Sequence, residues 1–332
     1  MTQPTSATSA TATATMGSDT ATGTGTVPLG DTGIGLFPLC LGGNVFGWTA
    51  DEAASHQVLD AYLAGGGNLV DTADAYSAWV PGNSGGESES IIGGWLADRG
   101  ADGAMHVATK TGKLGDADLS RSSVDGSLDA SLRRLRLDAV ALYYVHRDEP
   151  DRPVAEIVDT FGSLVTDGRA RAWGVSNWSA QRITDAVAAA HDAGLPPPVA
   201  VQNEGNAVAP TPSDVVRAAE AGGLLQLPYS TLASGFLTGK YTRDGELPDS
   251  PRAAGIDQTL MNEHGWAVLD AVRSIAQQRQ VAVASVALAW LRAQGTVPIA
   301  SARSTDQLPE LMAGMALELS ADELQAIRDA GH

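Results

Sequence analysis

Four residues of this 332-residue chain are placed so that they could share one reaction: Asp71, Tyr76, Lys110 and His146. Asp71 closes the short apolar run Leu69-Val70, and Tyr76 follows on the next turn. Lys110 closes the run Val107 to Thr109, and His146 closes the run Val140 to Val145. Runs this short between breakers read as buried strands. Each residue alone has a plainer reading. Asp71 and Tyr76 would be a turn cap and a packed loop residue, Lys110 a solvated lysine and His146 a polar loop residue. Titratable groups placed alike at the ends of three strands argue for a common site instead. A free phenol titrates near pH ~10, too high for acid–base work near neutrality. A neighbouring ammonium lowers that value, and a carboxylate holds the ammonium in place. Asp71, Lys110 and Tyr76 therefore form a tuned proton donor, with His146 hydrogen-bonding to a carbonyl oxygen and orienting it. Donating a proton to a developing alkoxide is half of a carbonyl reduction, and the hydride has to come from a cofactor.

The elements that must hold these residues alternate between strand and helix. Val27 to Phe37 reads as a hairpin around Gly30-Asp31-Thr32-Gly33. From Pro38 onward, strands at 38–41, 68–71, 107–109, 140–145, 172–175, 199–202, 224–227 and 297–299 are each followed by helical patterns. A helix opens at Asp51, others cover 87–97, 123–135, 154–165, 179–193 and 212–221, and two follow near 266–278 and 283–291. Thr305 to Met312 is expected to be helical. Ser320 to Ala330 is expected to close the chain as a helix, with Glu323 at the capping-box position. Residues 234–255 read as a long irregular segment. Such alternation requires parallel strands with helices outside, and eight units close a (β/α)8 TIM barrel. In that fold the active site lies at the C-terminal ends of the strands, where Asp71, Lys110 and His146 would converge. An open dinucleotide-binding sheet would carry Gly-x-Gly-x-x-Gly after an early strand, and none stands there.

Composition narrows the function classes. The formal net charge of −18 argues against nucleic acid or anionic membranes as partners and means that any anion must be held by a local cluster of donors. The single cysteine, Cys40, excludes an internal disulfide and fits a reducing compartment. No Cys/His spacing marks a zinc site, and no metal is expected. Residues 1–26 are mostly Thr, Ala, Ser and Gly without an apolar period and read as a disordered tail, leaving 27–332 as one barrel domain. With no signal sequence and no membrane-spanning run, a cytoplasmic protein is expected.

The motifs around the four residues are Val70-Asp71-Thr72-Ala73-Asp74-Ala75-Tyr76, Ala108-Thr109-Lys110 and Tyr143-Tyr144-Val145-His146-Arg147. In these the chain resembles the aldo-keto reductase superfamily of NADPH-dependent (β/α)8-barrel oxidoreductases, from Val27 to about Gly331. The resemblance implies a catalytic tetrad of Asp71, Tyr76, Lys110 and His146, and reduction of a small-molecule aldehyde or ketone. It implies that Ser176, Asn177 and Gln202 bind the nicotinamide carboxamide and that Tyr229 stacks on the ring. Ser230, Leu232 and Ser234 would also bind the cofactor, the loop from Gly235 to Lys240 would fold over the pyrophosphate, and the segment of Ser301, Arg303 and Gln307 would hold the adenosine phosphate. NADPH is the implied cofactor, with NADH as the alternative. Members known for NADPH selectivity carry Lys where Ser301 falls and Arg where Gln307 falls. Bacterial members often read Pro-Glu-Tyr-Asn where this chain has Asn203-Glu204-Gly205-Asn206. The resemblance also reaches potassium-channel beta subunits, so a cofactor-sensing regulatory subunit is the rival reading. Trp48, Trp79 and Trp178 lie on loops after strands, where they either line an apolar substrate cleft or pack on the barrel rim.

Overall fold

The computed structural model describes residues 25–243, 245 and 260–331. The tail expected over 1–26 lies outside the described residues apart from its last two. So does most of the long loop beyond 243.

The hairpin forms as expected: β1 (Val27–Pro28) pairs antiparallel with β2 (Gly35–Leu36). Eight parallel strands follow: β3 (Cys40–Gly42), β4 (Leu69–Asp71), β5 (His106–Thr111), β6 (Leu142–Val145), β7 (Trp173–Ser176), β8 (Ala200–Gln202), β9 (Leu225–Gln226) and β10 (Ile299–Ala300). They run β10-β3-β4-β5-β6-β7-β8-β9. The amides of Val297 and Ile299 donate to the carbonyls of Gln226 and Pro228, both at 2.9 Å, which joins the last strand to β9 and closes the ring. The helices are α1 (Glu52–Ala64), α2 (Glu87–Arg99), α3 (Arg121–Leu135), α4 (Val154–Thr166), α5 (Ala180–Ala193), α6 (Ser213–Ala221), α7 (Glu263–Arg279), α8 (Val283–Arg292), α9 (Leu308–Ala316) and α10 (Ala321–Ala330). The chain is a (β/α)8 barrel with an N-terminal hairpin and a C-terminal helix.

Side-chain alternation along the strands sorts the core into layers. Cys40, Leu69, Ala108, Leu142, Tyr144, Ala200 and Ile299 fill the barrel interior, and the hairpin's Leu29 and Leu36 join the same cluster. Leu41, Val70, Val107, Tyr143, Val145, Trp173, Val175 and Val201 face outward and pack under the helices. Tyr144 fits inside because its neighbour in register is Gly174, where a Cβ would sit 2.7 Å from the Tyr144 ring. A third cluster joins α7 and α10 through Trp266, Leu269, Val272 and Ile327, beside the 3-10 stretch Ala233–Thr238.

Side-chain caps mark half of the ten α-helix starts among the described residues. The side chains of Asp51, Ser120, Ser179, Asn262 and Ser320 each accept an amide hydrogen bond at a helix N-terminus, and Ser320 with Glu323 forms the full capping box. Several boundaries differ by two or three residues from the sequence expectation, among them the starts of β6 and α7, and one of them has a clear local cause. The segment at Thr305 begins as a single 3-10 turn, Thr305–Gln307, before α9 runs on to Ala316. Pro309 lacks an N–H and is tolerated only in the first turn of a helix, so α9 can start no earlier than Leu308.

Candidate active site

The strand alternation that builds the interior also selects the residues at its C-terminal rim. Two steps beyond the inward Leu69, Ala108, Tyr144 and Ala200 stand Asp71, Lys110, His146 and Gln202. Tyr76 reaches the same place from the loop after β4. Lys110, which is wholly buried, donates three hydrogen bonds: to Asp71 Oδ2 at 2.7 Å, to the Thr72 carbonyl at 2.7 Å and to the Tyr76 hydroxyl at 2.8 Å. These use all three ammonium protons. The Tyr76 hydroxyl donates to Asp71 Oδ2 at 3.1 Å, and Gln202 Nε2 donates to Asp71 Oδ1 at 2.8 Å. His146 packs edge-on against Tyr76 with ring centroids 5.9 Å apart, and its Nδ1 is buried without a partner.

The electrostatics differ from the sequence expectation in one respect. Burial, and then the adjacent Asp71 carboxylate, hold the Tyr76 phenol well above its ordinary range rather than below it. A buried phenolate 3.1 Å from a carboxylate would be poorly stabilised, so the proton stays on the phenol. Burial also lowers the Lys110 ammonium, with Asp71 pulling the other way. Burial, then the charges of Lys110, Lys113 and Arg147, keep His146 well below its usual value, so its imidazole is neutral and offers one N–H.

A cavity of about 420 Å³ opens over this cluster. Asp71, Tyr76 and His146 lie at one part of its wall, with Lys110 just beneath. Ser176, Asn177, Gln202, Tyr229, Ser230, Leu232, Ser234, Gly235, Lys240, Ser301, Arg303 and Gln307 all line the same cavity. Residues from four separate stretches of sequence thus converge on one space. Asn177 sits in the left-handed conformation at φ 62° and is pinned on every side. Its amide N–H donates to Asn203 Oδ1 at 2.7 Å, its Nδ2 to the His146 carbonyl at 3.1 Å, and its Oδ1 accepts from the Tyr229 hydroxyl at 2.7 Å. Asn203, one of the departures from the bacterial pattern, therefore braces the loop after β7. At Gly205, another departure, an added Cβ would lie 2.4 Å from Thr211 Oγ1, so a side chain there would require Thr211 to move.

Left-handed non-glycine residues gather here. Among the described residues Ser77, Asn177, Ser230, Ala233 and Ser234 have positive φ around the site, while Arg136 and Gln280 are ordinary helix C-caps. Backbone of that kind costs of order 1–3 kcal/mol per residue and persists where surrounding contacts over-determine it.

The three tryptophans divide. Trp79 is 52% exposed and packs edge-on against Trp48 (5.6 Å) and Tyr76 (6.3 Å), so these two form an aromatic wall beside the phenol. Trp178 is buried to 1% in the outer core under Arg182 and takes no part in the cavity. Trp178 therefore packs in the core rather than lining a substrate pocket, and Trp48 and Trp79 stand beside Tyr76 without lining the cavity over the tetrad. Sequence reading missed Asn44, which follows β3 and accepts from Ser301 Oγ at 2.8 Å, and Lys113, both on the cavity wall. Each stands just past a strand end, the rule that found the other residues.

The donor set fits a nicotinamide dinucleotide. Carboxamide-type partners and a fixed aromatic ring lie beside the tetrad, and the cations Lys240 and Arg303 share the cavity wall with them. The Arg303 guanidinium makes no ion pair among the described residues; its backbone N–H is held by Gln307 Oε1 at 2.9 Å.

Residues 38–331 match the sequence model of the Aldo/keto reductase family. A probable voltage-gated potassium channel subunit beta of Oryza sativa subsp. japonica is 31% identical over 86% of this chain and 89% of its own length. An uncharacterized oxidoreductase, YrpG, of Bacillus subtilis (strain 168) is 30% identical over 91% of this chain and 94% of its own. Among solved structures, a glycerol dehydrogenase from Gluconobacter oxydans superposes with a TM-score of 0.77 at 25% identity, covering 92% of this chain and 95% of that one.

Proposed function

The chain belongs to the aldo/keto reductase family, and from that premise we propose that it reduces an aldehyde or ketone to an alcohol with NADPH, by way of Asp71, Tyr76, Lys110 and His146. The observation that carries the reading is the triple hydrogen bond of buried Lys110 to Asp71, Thr72 and Tyr76 at the edge of a cavity that also holds the expected cofactor residues. Ser176, Asn177, Gln202 and Tyr229 would hold a nicotinamide, which when bound would supply the hydride for the carbonyl carbon. His146, neutral by its surroundings, donates its one N–H to the carbonyl oxygen and fixes its direction. Tyr76 keeps its proton until the oxygen becomes basic, and then gives it up. The Lys110 ammonium, 2.8 Å away, stabilises the phenolate oxygen left behind. Asp71 holds Lys110, and Gln202 holds Asp71. Trp48 and Trp79 supply an apolar wall for the substrate.

NADPH is favoured over NADH on the chemistry of the far wall. A 2′-phosphate on a chain of net charge −18 needs a local cation, and among the described residues Arg303 makes no ion pair with a carboxylate. The Oryza relative's description supports a second reading, a cofactor-binding regulatory subunit. Following the loss of NADPH absorbance with a panel of aldehydes and ketones separates the two. Steady turnover supports the reductase. Tight NADPH binding without turnover of any carbonyl compound would favour the regulatory reading.

A further inference from the structure

Asn203 does not line the cavity, yet it is bonded to two residues that do, Asn177 and Tyr229. It follows β8 directly and is half-buried. Its Oδ1 accepts from the Asn177 amide at 2.7 Å and from the Trp178 amide at 3.3 Å, and its Nδ2 donates to the Trp178 carbonyl at 2.9 Å. One side chain thus grips the turn after β7 by three backbone groups. Asn177 stands there at φ 62°, a conformation that few side chains other than asparagine adopt readily.

Asn177 passes this position on. Its Nδ2 donates to the His146 carbonyl at 3.1 Å and to Ser176 Oγ at 3.0 Å, which uses both protons of the side-chain amide. Its Oδ1 accepts from the Tyr229 hydroxyl at 2.7 Å. The Tyr229 amide N–H in turn donates to the Asn203 carbonyl at 3.1 Å. Asn203, Asn177 and Tyr229 therefore close a hydrogen-bonded circuit through the loops after β7, β8 and β9, with the backbone of His146 attached at Asn177. His146, Asn177 and Tyr229 all line the cavity.

We propose that Asn203 is a positioning residue for hydride transfer. Through Asn177 it holds in one frame the ring of Tyr229, on which a nicotinamide would stack, and the backbone of His146, which orients the carbonyl. The proposal rests on the reductase reading and adds to it a residue outside the cavity wall. Every bond in the circuit is made by the protein alone, so the frame is set before either ligand arrives. Such preorganisation spares the ordering that binding would otherwise require. It also fixes the approach of hydride donor to carbonyl, where a displacement of about 1 Å can cost roughly a hundredfold in rate. Without the Asn203 side chain the Asn177 amide keeps only its longer bond to the Gln202 carbonyl, at 3.3 Å. The turn can then still form, but it is no longer held in one place.

The test separates the two ends of the cofactor. Calorimetric titration compares NADPH with adenosine 2′,5′-bisphosphate, which lacks the nicotinamide, on the wild type and on Asn203→Ala. NADPH should weaken by roughly threefold to tenfold, the worth of one hydrogen bond, while the fragment binds as before. In single turnover at saturating NADPH, hydride transfer by the variant should slow by roughly tenfold to a hundredfold, with a deuterium isotope effect from 4-deuterated NADPH identifying the slowed step. Asn203→Asp keeps the acceptor for both amides and gives up only the donor to the Trp178 carbonyl. It should show a smaller loss of the same kind, and it carries the test if Asn203→Ala does not fold. A merely structural role would lower Tm and leave both the NADPH-to-fragment ratio and the hydride-transfer rate unchanged, and that result overturns the proposal. Equal weakening of NADPH and fragment overturns it as well. If the wild type reduces no carbonyl compound, the reductase reading fails. The titration then still decides whether Asn203 holds the nicotinamide end: an unequal loss supports that hold, and an unchanged ratio refutes it.

Discussion

At the scale of single residues, Tyr76 and Lys110 need opposite things from their surroundings. The phenol has to keep its proton until the alkoxide forms, and the ammonium has to stay charged when that proton has gone. Burial raises the first and lowers the second, and the 2.7 Å bond from Lys110 to Asp71 opposes the lowering. Tyr76→Phe keeps the ring that packs on His146 and Trp79 but removes the donor. Turnover should fall by roughly 10²–10⁴, the usual yield of a general acid, while NADPH titrates as in the wild type. Near-normal turnover in this variant would exclude Tyr76 as the donor. Asp74 offers a separate measurement. It is buried behind the tetrad, with Oδ1 unpartnered, and burial, then the neighbouring Glu89, push its carboxyl from 3.8 up to about 7. Between those values the folded protein holds a proton that the unfolded chain has released, so stability falls as pH rises through that window and levels off above it. Asp74→Asn keeps the neutral shape without titrating. Its advantage in unfolding free energy over wild type should grow from pH 4 to pH 7 and reach roughly 2–4 kcal/mol. Urea denaturation at the two pH values checks this, and a constant difference would place the cause elsewhere.

At the scale of elements, loops and caps decide what each strand end can present. The 3-10 stretch Ala233–Thr238 carries three left-handed residues in a row, Ala233, Ser234 and Gly235, which brings both Ser234 and Gly235 to the cavity wall. Gln307 ends the 3-10 turn Thr305–Gln307, and its Oε1 accepts from the Arg303 amide at 2.9 Å, so the two residues reach the same cavity wall. If Arg303 holds the 2′-phosphate, Arg303→Ala should weaken NADPH by roughly tenfold to a hundredfold and leave NADH nearly unchanged. Fluorescence titration with both cofactors gives the answer, and equal losses would remove Arg303 from the phosphate. The closing helix α10 is tied to α7 by Arg279, which grips both oxygens of Glu323 at 2.7 Å. That pair, with the Ser320 amide, lowers Glu323 from 4.5 to about 2. A carboxyl lowered in the folded state contributes stability above its unfolded pKa and loses it as pH falls toward the folded one. The docking of α10 should therefore weaken between pH 4.5 and 2, with Trp266 in the shared cluster as the fluorescent reporter. In Arg279→Ala this acid transition should be reduced; an unchanged transition would show that the pair does not hold the helix.

At the scale of the whole molecule, a net charge of −18 sits on one barrel. Self-repulsion of that size opposes compaction and is screened once the Debye length falls to about 10 Å, near 0.1 M salt. Raising sodium chloride from about 0.02 M to 0.3 M should lift Tm by a few degrees, roughly the response to 1 kcal/mol for a chain of this length. A fall in Tm over the same range would mean that the surface ion pairs outweigh the net repulsion. The same charge leaves an anion in the cavity few cations to meet: among the described residues Lys113, Lys240 and Arg303 line its wall.

By itself the sequence determined the alternation of strands and helices, the parallel barrel that eight such units require, and the strand-end positions of Asp71, Lys110 and His146. These are legible because side chains alternate with period two along a strand and caps such as Asp51 and Ser320 act on their own turn. The family motifs pointed to twelve residues as candidates for holding the cofactor, and the structure brings all twelve to one cavity. Tertiary structure decided what depends on residues far apart in the chain. It packed Trp178 in the outer core under Arg182 rather than on a substrate pocket. It raised the Tyr76 phenol where the local pairing predicted lowering, because burial comes from the whole barrel and outweighs one ammonium. It made Asn203 a brace for Asn177 across 26 residues. The loops after β5 and β6 leave the barrel side by side only because those strands pair, since a hydrogen bond between two strands sets which loops are neighbours at the barrel mouth.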